Sequence, residues 1–279
     1  MRKSHIYLFA IAIVLVSAAA LIQLSGNSTS GDLNLTRFDG QQVPANVINM
    51  LHVPANISAA IGIGSARASS LLGIGSNASL TSDGKPLIIY VGAEYCPYCA
   101  FERWAMIVAL LRFGNFTGLH YMTSSSSDVF ANTPTFSFYN SSYTSNYISF
   151  QSVEETTNKP NGPGSYVPLQ APDALQASVF SAFDLHNLQI PSSSRGGIPF
   201  IDFANQSALV GVTYDDPGIL DPLNWSQIAA SLYNTSSLQA QAIVGSANMF
   251  TAQICKITGN EPASVCSANY VKIIENEIK

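Results

Sequence analysis

One segment, Leu87 to Phe113, constrains the fold of this chain more than any other. It begins with an apolar run ending at Val91, which is typical of a buried β-strand. A short turn leads to Cys96 and Cys99, and apolar residues then recur every three or four positions, as on one face of a helix. The order strand, CxxC motif, helix predicts that these two cysteines carry out redox chemistry.

The positions of the two cysteines predict different roles for them. A cysteine at a helix N-terminus faces unpaired backbone N–H groups and the positive end of the helix dipole, and both favour its thiolate. We therefore expect Cys96 to be an exposed nucleophile and Cys99, one turn later, to resolve the mixed disulfide that Cys96 forms. Pro97 suits the first helical turn because it has no N–H to leave unsatisfied.

Two other uses of a CxxC motif are a static disulfide and half of a zinc site. Cys255 and Cys266 are too far apart to supply the second half of a zinc site. Cu(I) handling is a further alternative, although thiolate copper sites usually include a nearby Met or His. No metal is predicted, because the four histidines show no ligand spacing: His5, His52, His120 and His186.

The composition limits the partners of the chain. Of its 279 residues, 47% are apolar, which is enough for a core. Only 10% are charged and the net charge is −5, without a basic cluster. A nucleic-acid partner is therefore not expected.

The N-terminus predicts export. Arg2 and Lys3 precede an uncharged stretch, residues 6–24, which is long enough to cross a bilayer as a helix with its N-terminus in the cytoplasm. The small residues Ala18 to Ala20 leave a cleaved signal peptide as the alternative. We assign residues 1–24 to an anchor or signal peptide and residues 25–42 to a polar linker, so that the rest is extracytoplasmic or secreted.

Two further features agree with export. The cysteine count is even, as in disulfide-bonded proteins of oxidising compartments. Glycosylation acceptor triplets are more frequent than the roughly four expected by chance. Their asparagines are Asn27, Asn34, Asn56, Asn77, Asn115, Asn140, Asn205, Asn224 and Asn234.

The second cysteine pair lies near the C-terminus. Ten residues separate Cys255 from Cys266, and they include a helix-breaking Gly259 and Pro262. We predict a structural disulfide that closes this turn and stabilises the protein by roughly 3 kcal/mol. A second redox pair that relays electrons to the CxxC motif is the alternative.

Apolar periodicity assigns the remaining elements. Two short helices are expected after Pro44 and Pro54. Residues 118–123 are predicted to be a strand parallel to the first one, and residues 135–139 and 147–153 two more strands. Residues 173–185 are predicted to be a helix, residues 198–203 and 208–212 a β-hairpin, and Asp221 the start of another helix.

This order of elements, with Ile198-Pro199 before a hairpin, resembles the thioredoxin fold, and the CPYC tetrapeptide also resembles the glutaredoxin active site. From about residue 40 onward the chain is more closely similar to a thioredoxin-like family of archaea and some actinobacteria, domain of unknown function 929. The matching segments are Val91 to Ala100, Glu102 to Trp104, Phe136 to Tyr139 and Tyr147 to Phe150. That family has no assigned substrate.

The thioredoxin resemblance implies a substrate site around the cysteines. Pro199 matches the cis-proline that faces the CxxC motif, and Ile198 then offers backbone hydrogen bonds to a bound peptide. With Pro97 and Tyr98 these residues are expected to contact the substrate.

One position departs from the thioredoxin pattern, since Tyr90 stands where thioredoxins have a buried aspartate. Proton transfer to and from Cys99 would then need another group, and Glu94 and Glu102 are the candidates. The alternative is that both are solvated carboxylates.

We therefore expect an α/β, thioredoxin-like domain over residues 43–279, in which helices flank a central mixed sheet. We expect this domain to carry an insertion at about 124–195 and helical extensions at both ends, of which the C-terminal one is residues 236–279. The N-terminal transmembrane helix precedes the domain. The predicted function is a membrane-anchored thiol-disulfide oxidoreductase without cofactor, acting on exported protein thiols and served by an unidentified redox partner. A non-enzymatic surface domain with a static CxxC disulfide and a copper-handling protein are the alternatives.

Overall fold

A computed structural model describes residues 34–74, 78–187 and 189–278. The predicted anchor or signal peptide and most of the polar linker lie outside these residues, as do the acceptors Asn27 and Asn77. In the part of the chain that is described, no helix has the length and apolar character to cross a membrane.

The described residues form a mixed α/β structure. Its α-helices are α1 Ala45–Met50, α2 Ala55–Ile61, α3 Pro97–Leu110, α4 Ala174–Phe180, α5 Trp225–Ser231, α6 Gly245–Ile257, α7 Ala263–Cys266 and α8 Asn269–Glu277. Its strands are β1 Leu71–Gly73, β2 Thr81–Ser82, β3 Lys85–Gly92, β4 Gly114–Thr117, β5 His120–Thr123, β6 Pro134–Ser137, β7 Ser142–Ser145, β8 Ser149–Glu154, β9 Thr156–Pro160, β10 Tyr166–Pro168, β11 Phe200–Phe203 and β12 Ser207–Val210. Single π-helical segments, Ser181–Leu185 and Ala240–Val244, follow α4 and precede α6.

The main sheet is mixed and has β3 near its centre. Its strands lie in the order β1-β12-β11-β3, with β8 and β2 also paired to β3. The β3–β8 pair is parallel, whereas β11 runs antiparallel to both β3 and β12. The mixed sheet flanked by helices and the β11–β12 hairpin confirm those parts of the predicted architecture.

The apolar run in β3 is continuous because both faces of this strand are covered. Ile88 and Tyr90 belong to the larger apolar core, and the alternating Leu87, Ile89 and Val91 belong to a smaller core on the opposite face. Successive side chains of a strand point to opposite faces, so a run without polar residues is what a central strand requires.

Helix α3 crosses the larger core. All of its residues except Tyr98 are buried, and it packs against α6 and β6. Two hydrogen bonds join it to β6, from Trp104 Nε1 to the carbonyl of Pro134 and from Thr135 Oγ1 to that of Ala100, each 2.8 Å long. The helix that begins at the CxxC motif is therefore fixed from several sides.

The predicted parallel partner of β3 was wrong. Residues His120–Thr123 pair antiparallel with Pro134–Ser137 in a separate two-stranded sheet, and β8 occupies the position beside β3. Two antiparallel pairs, β4–β7 and β5–β6, lie between α3 and β8 along the chain. Pairing between strands close in sequence has a low loop-closure cost, and apolar alternation does not reveal which partner a strand takes.

Helix boundaries agree with the predictions except in two places. The two short helices after Pro44 and Pro54 are present as α1 and α2. Asp173 caps α4 as predicted, but regular helix ends at Phe180 and a π-helical turn follows. The helix expected at Asp221 begins at Trp225 because the side chain of Asn224 provides the N-cap.

The predicted disulfide between Cys255 and Cys266 is present and joins α6 to α7, with Cα atoms 5.5 Å apart. Both half-cystines are completely buried within the larger apolar core. This placement agrees with a structural role for the pair.

Candidate active site

The CxxC motif lies where β3 ends and α3 begins. Cys96 is the N-cap of α3, with extended backbone, and Pro97 occupies the first helical turn. The Cys96 sulfur accepts the backbone N–H of Cys99 at 3.2 Å. This is the hydrogen bond that an N-cap side chain makes, so the helix terminus itself stabilises negative charge on Cys96.

Both cysteines of the motif are free thiols, and they are less accessible than expected. Cys96 is only 5% exposed and Cys99 is fully buried. The prediction that Cys96 is exposed was therefore wrong. The reason is long-range: the segment before β11 brings the Ile198 carbonyl to 3.9 Å from the Cys96 sulfur, a contact between residues distant in sequence.

The two thiols differ in acidity. Burial raises the pKa of Cys96, but hydrogen bonds from the side chain and backbone of Cys99, the charge of Arg103 and the Tyr98 backbone outweigh it, so the pKa lies below its ordinary value. Burial raises the pKa of Cys99 well above its ordinary value, and its side-chain hydrogen bond with Cys96 adds to this rise. Such a pair has one thiol prepared to ionise and one that stays protonated.

The four residues predicted to contact substrate surround the motif or lie within it. The Ile198–Pro199 peptide bond is cis, as the thioredoxin resemblance implied. Pro97 and Pro199 are buried, whereas Ile198 and Tyr98 are partly exposed. The Tyr98 ring packs edge-on against Phe130 at 6.1 Å, and Phe130 is itself 37% exposed.

The loop beside the motif extends this partly exposed surface. Val129 is 57% exposed and adjoins Phe130. On the chain segment that enters the motif, Tyr95 stacks on Tyr166 with ring centroids 4.0 Å apart. Large apolar and aromatic groups next to a reactive thiol are suited to contacting a peptide chain.

A buried ion pair between Arg103 and Glu154 lies close to the motif. Arg103 Nε and Nη2 donate to the two Glu154 carboxylate oxygens at 2.8 and 2.6 Å, and neither side chain is exposed. Arg103 Nη2 also donates to the carbonyl of Ala93 at 2.6 Å. The sequence predicted neither partner, although an arginine within a mostly apolar helix was a signal that a buried counter-ion exists.

Tyr90 is a fully buried, neutral group on β3. Its ring lies 5.8 Å from the Arg103 guanidinium carbon, and its hydroxyl has no hydrogen-bond partner among the described residues. Burial raises the pKa of Tyr90 well above its ordinary value. The hydroxyl therefore stays protonated and cannot act as a carboxylate would.

Glu94 is a buried carboxyl two residues before Cys96. It is 4% exposed, and its Oε1 accepts the Ser137 hydroxyl at 2.6 Å. Burial raises the pKa of Glu94 to about 7, with Glu154 adding to the rise and Ser137 and Arg103 opposing it. Glu94 also lines a cavity of about 310 Å³, together with Asp39 and Lys159.

Glu102 is fully buried in α3 and contacts a different part of the chain. Its Oε1 accepts both the backbone N–H and the hydroxyl of Thr213, beyond β12. Burial raises the pKa of Glu102 to about 7. The alternative that Glu94 and Glu102 are solvated carboxylates was therefore wrong for both residues.

Residues 74–171 match the model of a family described as "Domain of unknown function (DUF929)". The match covers about a third of the chain and includes both cysteines of the CxxC motif as well as Arg103 and Glu154. It supports the resemblance to this family that the motifs indicated. No curated protein and no solved structure matches the chain.

Proposed function

We propose that this protein is a thiol-disulfide oxidoreductase with Cys96 as the nucleophile and Cys99 as the resolving cysteine. The observation that carries the proposal is the asymmetry of the two thiols. Cys96 caps helix α3 and has a lowered pKa, whereas Cys99 is fully buried and has a raised one. A static disulfide or a packing role does not require this difference.

The order of strands supports a thioredoxin-like fold. The thioredoxin resemblance implies a parallel strand on one side of the strand before the CxxC motif and an antiparallel hairpin on the other. Here β8 and the β11–β12 hairpin flank β3 in that way. Pro199 precedes β11, and Ile198 adjoins the Cys96 sulfur, as the proposed peptide site requires.

The reaction would proceed by two thiol-disulfide exchanges. The Cys96 thiolate attacks one sulfur of a substrate disulfide, so that a mixed disulfide forms and the second substrate sulfur leaves as a thiolate. Cys99 then loses its proton and attacks Cys96, which releases the first substrate sulfur. Two electrons pass to the substrate, and the Cys96–Cys99 disulfide remains; the reverse sequence oxidises a dithiol.

The second exchange needs an acceptor for the Cys99 proton. Glu94 is the stronger candidate, because the charges of Arg103 and Glu154 both influence its pKa and because it lines the cavity of about 310 Å³. Glu102 is held by Thr213, and its pKa responds to Arg67 rather than to the ion pair beneath the motif. A carboxyl with a pKa near 7 can take up and return a proton at neutral pH.

The substrates we propose are thiols and disulfides of exported proteins, contacted through Tyr98, Ile198 and Phe130. The Cys255–Cys266 disulfide agrees with an oxidising compartment outside the cytoplasm. We also propose that the N-terminal segment attaches the protein to the membrane and that an unidentified redox partner exchanges electrons with it.

Trapping of the mixed disulfide tests this function. The full-length Cys99→Ser variant, reduced and mixed with a peptide that contains a disulfide, should accumulate a covalent adduct at Cys96 that mass spectrometry identifies. Cys96→Ser is the matched control and should form no adduct. The proposal fails if Cys96→Ser exchanges disulfides as fast as the unaltered protein, or if Cys99→Ser captures no peptide.

A further inference from the structure

Arg103 lies on the face of α3 that carries both reactive cysteines. It follows Cys99 by four positions and Cys96 by seven, spacings that place side chains on the same side of a helix. Its bond to the Ala93 carbonyl ties the guanidinium to the turn that delivers the motif. The cation is thus fixed beneath the cysteine pair rather than free to move with a surface side chain.

Stability alone does not account for this buried cation. An arginine without any exposure must be paired, and Glu154 supplies the pairing through two short hydrogen bonds. A buried ion pair, however, is seldom more stabilising than apolar side chains of similar volume, because both ions lose their hydration. The buried cation has a further effect, because its charge acts to lower the pKa of both adjacent thiols.

The pair with Glu154 does not use all of the guanidinium. Arg103 Nη1 is buried and has no hydrogen-bond partner among the described residues. A thiolate on either cysteine would therefore form near a buried cation that still has donors available. In surroundings of low dielectric constant such a charge is weakly screened.

We propose that Arg103, held in place by Glu154, is the positioning residue that stabilises the thiolate of Cys96 and then that of Cys99 during disulfide exchange. This inference rests on the proposed function and adds the residue whose positive charge stabilises the two thiolates. The direction of the pKa shifts supports it: burial raises the pKa of both thiols, and Arg103 opposes that rise in each.

Other titratable groups act at the same place and must be separated from Arg103. Tyr90 on β3 stays protonated, and Glu154 on β8 is the counter-ion of Arg103. In the turn before the motif, burial and the charges of both cysteines raise the pKa of Tyr95 to about 12, so Tyr95 stays neutral, and Glu94 gains its charge near pH 7. These groups are the same in the variants of the ion pair, so a difference in titration between variants reports on Arg103 and Glu154.

The experiment measures the pH midpoint of Cys96 alkylation and the reduction potential of the CxxC pair in full-length variants. In Arg103→Met combined with Glu154→Gln, both charges are lost and the net charge is unchanged. We expect the midpoint to rise by about one pH unit or more and the potential to become more negative, because the reduced thiolate form loses its stabilisation. Glu154→Gln alone leaves the cation unbalanced and should lower the midpoint.

Two controls keep the result interpretable. Arg103→Lys retains the charge and should keep the midpoint close to that of the unaltered protein. Lys272→Met with Glu275→Gln removes a partly exposed pair on α8 and should change neither quantity. Circular dichroism verifies that each variant is folded, and the comparison of the double variant with Arg103→Lys suffices if Glu154→Gln does not fold.

The opposite signs expected for the double variant and for Glu154→Gln distinguish electrostatics from a loss of packing. The inference is overturned if the folded double variant has the midpoint and potential of the unaltered protein. A shifted midpoint in the double variant supports the inference even if the unaltered protein exchanges no disulfides. In that event only the proposed function is lost.

Discussion

Replacing Glu102 by glutamine is expected to change how the stability of the protein depends on pH. The Glu102 carboxyl is fully buried in α3, where Oε1 accepts two hydrogen bonds from Thr213. Its other oxygen, Oε2, has no partner among the described residues. Burial raises the pKa of Glu102 from 4.5 to about 7, although the bonds from Thr213 act in the opposite direction.

The sign follows from the protons that each state binds. Between pH 4.5 and about 7 the folded protein retains a proton on Glu102 that the unfolded chain has lost. The stabilisation is therefore fully present below the unfolded pKa and disappears as the pH rises through the folded pKa. At 1.36 kcal/mol per pKa unit, the free energy of unfolding falls by about 3 kcal/mol across this window because of Glu102.

Glutamine does not ionise, so Glu102→Gln lacks this dependence. The buried amide N–H groups cost about 1–3 kcal/mol if they find no acceptor, but that cost is the same at every pH. The informative quantity is therefore how the difference in free energy of unfolding between the variant and the unaltered protein changes with pH, and not its value at one pH.

Urea denaturation at a series of pH values from about 4 to about 8 measures it. The other carboxyls with raised pKa values, such as Asp202 and Glu94, are present in both proteins and cancel. We expect the variant to gain about 3 kcal/mol relative to the unaltered protein as the pH rises across this range. A difference that stays constant with pH would refute the assignment of a proton to buried Glu102.

Three further outcomes are expected. Replacing Cys255 and Cys266 by alanine should lower the free energy of unfolding, measured in urea, by about 3 kcal/mol, because the disulfide no longer closes the 11-residue separation. Disulfide exchange by the CxxC motif should continue in this variant. Loss of exchange would favour a relay of electrons through the second cysteine pair. Gly92→Ala should destabilise the protein by about 1–3 kcal/mol in thermal denaturation, since a Cβ would overlap the Tyr90 hydroxyl. Adding Tyr90→Phe to this variant should restore part of the lost stability. A Gly92→Ala variant as stable as the unaltered protein would refute the overlap. Glu94→Gln should slow release of the mixed disulfide about a hundredfold in a rapid-mixing assay while Cys96 alkylation persists, and an unchanged rate would exclude Glu94 as proton acceptor.

Local signals in the sequence predicted the centre of the candidate site. The apolar run of β3, the cap position of Cys96 and the period of α3 depend on residues within a few positions of one another. The same holds for the β11–β12 hairpin and for the Cys255–Cys266 disulfide, each closed by a short turn. Patterns of this kind are visible in one chain without knowledge of its partners.

Features that depend on distant segments could not be predicted in this way. The strand beside β3 proved to be β8, because alternation shows that a strand is half-buried but not which strand it joins. Burial of Cys96 depends on Ile198, far along the chain. The partner of Arg103 is a glutamate 51 positions away, which no spacing rule identifies.

The central claim is that helix α3 and Arg103 hold Cys96 as a reactive thiolate. The most direct test is the rate at which Cys96 is alkylated in the reduced, unaltered protein as a function of pH, followed by mass spectrometry of the modified peptide. We expect rapid modification at mildly acidic pH, with a midpoint below the ordinary cysteine value, and slow modification of Cys99. Alkylation of Cys96 no faster than that of a free cysteine at the same acidic pH would contradict the account.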